Sequence, residues 1–142
     1  MSVNAKEYLQ KAFRLDQRIN SKLQQIESLN ALAEKCTTTL TGMPHSQNSS
    51  TSAIADTVVK IVSLQVEINK DIDKLVDLKQ EIMKLIKSVS NAEYQTLLEE
   101  RYLCFLSWEQ ISVDMNYSIQ YAFHMHKMAL KDIEEILKVQ SK

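Results

Sequence analysis

The chain has 142 residues, 44% hydrophobic and 25% charged, with a formal net charge of −1. One Gly and one Pro in that length fit a helical protein and exclude a turn-rich β fold or a disordered chain. The near-zero charge removes any global electrostatic argument for nucleic acid, and a single glycine excludes a glycine-rich phosphate loop.

The first predicted element is a helix from about residue 5 to 36. Ala5, Ala12, Ile19, Ile26 and Ala33 share one heptad position, and Tyr8, Leu15, Lys22, Leu29 and Cys36 share the position three residues on. A seven-residue apolar repeat makes a seam that packs against another helix. Residues 37–53, rich in Thr and Ser and holding Gly42 and Pro44, are expected to form a flexible connection. Beyond it Ile54, Ile61, Ile68, Leu75, Ile82 and Val89 fall seven apart, with Leu64, Asp71, Leu78 and Leu85 in the companion position. That pattern predicts a second helix of about 35 residues, roughly 50 Å long at 1.5 Å per residue.

Folded back through the connection, the two helices form a long antiparallel hairpin, a coiled coil over residues 5–89. A pairing sum near 93 sets Leu15 beside Leu78, Leu29 beside Leu64 and Tyr8 beside Leu85, and brings Lys22 level with Asp71. A lone buried charge is costly and an opposed pair far less so. The two charged intruders are therefore expected to fix the register. Ile and Leu at alternating seam positions also suit an intermolecular coiled coil, so a homodimer stands as the rival or as an addition.

After Val89 the period changes. Ser90-Asn91-Ala92-Glu93 reads as a capping box opening a helix to about Tyr102. Ser107-Trp108-Glu109-Gln110 reads as a second box, opening a short helix from Trp108 to Met115. Asn116 suits a left-handed turn, and Ser118 caps a final helix reaching about Val139. Helix, tight turn and helix form a helix-turn-helix, in which one helix braces and the next enters the major groove of double-stranded DNA. The expected fold is thus all-α: the hairpin over 5–89, then a three-helix module over 90–140.

Cys36 and Cys104 lack paired spacing and are read as reduced thiols. The first residues lack an apolar signal core, and no run of about 18 apolar residues occurs. A cytoplasmic protein without a membrane partner is expected. Cys104, His124 and His126 lack a fourth ligand, and two residues' separation sends the histidines to different helix faces, so no metal site is read. His45 lies in the polar connection without a visible partner. No nucleophile–base constellation stands out, so neither an enzyme nor a cofactor is expected.

Leu97-Leu98-Glu99-Glu100-Arg101-Tyr102, Leu106-Ser107-Trp108-Glu109-Gln110-Ile111, Met115-Asn116-Tyr117-Ser118 and Ala129-Leu130-Lys131-Asp132-Ile133 follow in an order that resembles region 4 of bacterial sigma factors. That region binds the −35 promoter element through its helix-turn-helix. The whole chain, with Lys6 to Leu9 and the Leu15 to Ile19 motif, is similar to small sigma-like regulators encoded by phages and prophages of Gram-positive bacteria. The resemblance implies transcription regulation, with DNA and RNA polymerase as partners. By position it makes Trp108 to Met115 the bracing helix and Ser118 to Lys131 the recognition helix. Ile119, Gln120, Tyr121, Phe123 and His124 then face DNA; several of the matching sigma factor positions are basic, and this chain has no arginine at any of these five.

The candidate DNA-binding residues are therefore Ser118, Ile119, Gln120, Tyr121, Phe123, His124, Lys127 and Lys131. Gln120, His124, Lys127 and Lys131 lie on one helix face, opposite Ala122, Met125, Ala129, Ile133 and Ile136. Gln pairs with adenine, and Lys suits guanine or phosphate; an ordinary solvated face is the alternative. Tyr121 and Phe123 suit either base contacts or packing, and Trp108 either a core anchor or a backbone contact. From Ser90 to the end five basic residues stand against eight acidic ones, net −3. Phosphate neutralisation is then small, and dimerisation or docking on polymerase would have to raise the effective concentration. The competing function is a helical protein–protein interaction adaptor whose helix-turn-helix does not bind DNA.

Overall fold

The heptad stripes do form two long helices. The computed structural model describes residues 4–40 and 47–140, with side chains for 4–35 and 52–140. Helix α1 spans Ala5–Leu40 and α2 spans Gln47–Lys87, followed by α3 (Ala92–Tyr102), α4 (Trp108–Met115) and α5 (Ile119–Gln140). The fold is all-α, with no strand among the described residues. Both long helices run further into the expected connection than its Thr- and Ser-rich composition implied; Gly42, Pro44 and His45 lie outside the described residues. At 41 residues, α2 is about 60 Å long.

The chain divides into two compact units, residues 16–74 and residues 1–15 with 75–142. The first is the antiparallel pairing of the middle of α1 with the first part of α2. Ile19 and Ile68 are buried there, and the apolar seam positions Ile26, Leu29, Ala33, Ile54, Ile61 and Leu64 are half-buried, as expected where only two helices share a seam. Lys22 Nζ meets Asp71 Oδ2 at 2.6 Å and reaches Glu67 at 3.7 Å. The two charged intruders thus face each other, with side chains only 15% and 11% exposed. The ammonium's hydrogen bond holds the Asp71 carboxyl below its ordinary pKa, against the desolvation that pushes it up.

The second unit is where the chain builds a multi-helix core. Ala5, Leu9 and Ala12 of α1 cluster with Ile82, Leu85 and Ile86 of α2, with Val89, and with Leu98, Tyr102, Ala129 and Ile133. Leu9 and Ile86 are fully buried although neither lies on the heptad seam. A seam needs two apolar positions in seven, whereas helices that also meet α3 and α5 need a second apolar face. Each such leucine or isoleucine contributes about 1.5–3 kcal/mol of burial.

Local signals set the corner between α2 and α3. Asn91, rather than Ser90, is the N-cap of α3: its Oδ1 accepts from Glu93 N at 2.9 Å and from Tyr94 N at 3.3 Å. The expected capping box is therefore displaced by one residue, because a side-chain amide oxygen satisfies two of the helix's orphan N–H groups. Gln95 donates back to the Val89 and Lys87 carbonyls, closing the end of α2.

Candidate functional site

The helix-turn-helix is built by local rules. Ser107 caps α4, its hydroxyl accepting from Gln110 N at 3.2 Å. Asn116 ends α4 in the left-handed region at φ 59°, ψ 45°, where a short polar side chain tolerates what a branched one does not. Its N–H returns to the Ser112 and Val113 carbonyls, and Tyr117 N donates to Ser112 O at 2.9 Å. Ser118 then caps α5, accepting from Tyr121 N at 3.1 Å. Three residues, 116–118, thus join the two helices.

A small core sets their packing. Leu97 of α3, Ile111 of α4 and Met125 of α5 cluster, with Tyr94, Leu106, Trp108, Met115 and Tyr117 around them. Trp108 is half-buried and stands edge-on to His126 at 4.7 Å and to Phe123 at 5.1 Å between centroids. Arg101 lies over the same indole at 4.8 Å and donates to Leu106 O at 3.0 Å. The only arginine after residue 90 is thereby engaged in holding the α3–α4 connection. Phe105, in that connection, adopts φ 59°, with its ring edge-on to Phe13 at 5.5 Å and under the Lys79 ammonium at 4.7 Å.

His126 points inward. Its Nε2 is 2.5 Å from the Tyr102 hydroxyl, and burial pushes its pKa down to about 4, with Lys6 and Arg101 adding to the effect. Burial also pushes the Tyr102 phenol up to about 12. Both rings are thus neutral structural groups at ordinary pH.

The outward face of α5 is different. Gln120, His124, Lys127 and Lys131 are all exposed and in line, while Ala122, Met125, Ala129 and Ile133 are buried; Ile136 is half-buried. Neither lysine is ion-paired among the described residues. Ile119, Tyr121 and Phe123 are exposed beside the stripe, at 38%, 48% and 48%. Tyr121 is braced edge-on by Tyr117 at 4.8 Å and lies 6.4 Å from His124. The face therefore offers an amide, an imidazole, two ammonium groups and two ordered aromatic rings, all open to solvent. All eight residues singled out from the sequence lie along the first turns of α5 or at its cap, and Ser118 serves that cap.

Sequence reasoning missed the brace. Nothing in the periodicity marked Tyr117 as a contact of Tyr121 or Arg101 as a contact of Trp108. The order Arg101 to Trp108, one cation and one indole flanking a short connection, is the signal that a cation–π reading would use. Glu100 presents a carboxylate oxygen buried without a hydrogen-bond partner among the described residues; desolvation and the neighbouring Asp114 and Glu99 raise its pKa.

Among the described residues no helix is long and apolar enough to cross a membrane, and no group of three or more His, Cys, Asp or Glu is placed to hold a metal ion. Cys104 is a free, exposed thiol. The profile of a family described as a protein of unknown function (DUF1492) matches residues 44–134, which includes all of α3 and α4 and most of α5. No curated protein and no solved structure matches the chain.

Proposed function

We propose that the chain, which belongs to the DUF1492 family, is a transcription regulator that binds double-stranded DNA through α4 and α5. The observation that carries this reading is the exposed line Gln120, His124, Lys127 and Lys131 on a helix held by a three-residue turn. A helix presented in this way enters the major groove with its N-terminal residues toward base edges. Gln120 is then the base reader, and Lys127 and Lys131 contact phosphate. The sigma region 4 resemblance supports a promoter-type site, a phage or prophage origin and RNA polymerase as the partner protein.

Two cations per copy supply little electrostatic affinity. The logarithm of the binding constant should fall with the logarithm of salt at a slope of about −2 for one copy and about −4 for two. The hairpin then compensates through self-association, or through a contact with polymerase, either of which raises the effective concentration of α5 at its site. Val58, Val62 and Val66, exposed at 49%, 52% and 51% on α2, support a face for such an association. The exposed Ile119, Tyr121 and Phe123, with the net charge of −3 over residues 90–142, favour the second reading, a helical adaptor that binds protein through the same face.

A gel-shift series separates the two. The full chain is titrated onto duplex DNA from upstream of its own gene, at two salt concentrations, with and without bacterial RNA polymerase. The regulator gives a sequence-selective shift that Gln120→Ala with Lys127→Ala abolishes. Absence of any shift, polymerase included, leaves the adaptor.

A further inference from the structure

We propose that the base-facing turns of α5 select A·T pairs, with Gln120 reading adenine and the Tyr121 and Phe123 rings covering thymine methyl groups. This rests on the DNA-binding reading above and specifies its target. The chemistry of the four base pairs in the major groove differs in a way that this surface discriminates. Guanine presents two acceptors, N7 and O6, and is read by paired donors on Arg or Lys; adenine presents an acceptor and a donor, matched by a side-chain amide; thymine adds a methyl group.

The first two turns of α5 hold no paired donor. Arg101 is engaged by Leu106 O and the Trp108 ring, so the one guanidinium nearby is committed elsewhere. The cations of α5 begin at Lys127, about 10 Å along the axis from Gln120 at 1.5 Å per residue. The exposed His124 imidazole donates one hydrogen bond, which fits N7 of either purine and so does not choose between them.

Apolar surface fills the rest of those turns. At 100° per residue, Phe123 and Tyr121 flank the Gln120–His124 line on opposite sides, each 48% exposed. Both rings are already ordered, Phe123 against Trp108 and Tyr121 against Tyr117, so covering a methyl group freezes no further rotamers. A cytosine edge, with an amino group and no methyl, would be desolvated by these rings without a partner.

The test uses the full-length chain and a library of random-sequence duplexes at low salt, followed by titration of a recovered duplex in three forms. The expected core is a run of A·T pairs. Replacing its thymines by uracil, which removes only the methyl groups, should weaken binding about fourfold for each methyl covered. Gln120→Ala, with its fold checked by circular dichroism, should weaken binding at least about fivefold and abolish the preference for adenine at one position. A recovered core of G·C pairs, or equal affinity for thymine and uracil duplexes, overturns the A·T assignment while leaving DNA binding intact. Retention of no duplex at all, with bacterial RNA polymerase present as well as absent, overturns DNA binding itself and the assignment with it.

Discussion

Lys22→Ala should destabilise the chain more than the loss of a surface lysine could. The pair is short, at 2.6 Å, and both side chains are largely buried, so the substitution leaves Asp71 charged and facing an apolar seam. Breaking a fully buried pair costs about 3–5 kcal/mol, and an exposed one about 0–1. A pair in a seam only two helices wide, with residual exposure of 15% and 11%, falls between, at about 2–3 kcal/mol. Replacing both residues by leucine removes the orphaned charge and should recover all of that loss, since an apolar pair of similar volume is neutral or stabilising. The pH dependence follows from the depressed Asp71 pKa. The carboxylate's contribution is complete above its ordinary pKa near 4 and disappears as pH falls through the lower folded value, so the gap between Lys22→Ala and the parent chain should close in acid. Urea unfolding followed by circular dichroism at several pH values measures each quantity. If Lys22→Ala and Asp71→Ala each cost less than about 0.5 kcal/mol, the pair neither stabilises the seam nor sets its register, and the reasoning fails.

Asn116→Val should cost about 1–2 kcal/mol in thermal unfolding because its φ of 59° is strained for a branched residue, whereas Asn116→Gly should be neutral within about 0.5 kcal/mol. His126, with a folded pKa of about 4 against an ordinary 6.5, favours the neutral ring in the fold, so its contribution is intact above about pH 6.5 and is lost on acidification toward pH 4. The loss is about 2 kcal/mol once partial exposure of the ring is allowed for, and His126→Phe should flatten the stability profile in that window. Glu100→Gln removes a carboxylate whose buried oxygen has no partner, and should raise stability by about 1 kcal/mol above pH 6 and by less at pH 4, as a melting series in two buffers would register.

Much of this fold was legible because its signals are local. Of the heptad positions, Ala5, Ala12 and Ile19 of α1, Ile68 and Ile82 of α2, and Val89 just beyond it are buried, while Ile26, Ile54, Ile61 and Leu75 are half-buried. The pairing of Lys22 with Asp71 followed from counting seam positions alone. The bounds of α4 followed from Ser107 and Asn116, because caps act on adjacent backbone and need no tertiary context. What escaped was long-range. Leu9 and Ile86 lie off the heptad seam and are buried because other helices cover them, and no period in α1 or α2 announces that second face. The cap of α3 was misplaced by one residue because Ser90 and Asn91 are both good caps and the choice between them depends on where α2 stops. In the candidate site the outward stripe was read directly from helical spacing, while the aromatic brace of Tyr117 on Tyr121 and Trp108 on Phe123 depends on the angle between α4 and α5.

Everything proposed for this chain rests on α5 lying against DNA. Photocrosslinking measures this directly: duplexes carrying 5-bromouracil in place of thymine are bound by the full-length chain, irradiated, and the modified peptide is identified by mass spectrometry. The expected result is an adduct within residues 119–131, centred on Tyr121 or Phe123, that competitor DNA of unrelated sequence does not remove. Adducts confined to the hairpin, or none under conditions where the duplex is bound, would contradict that placement.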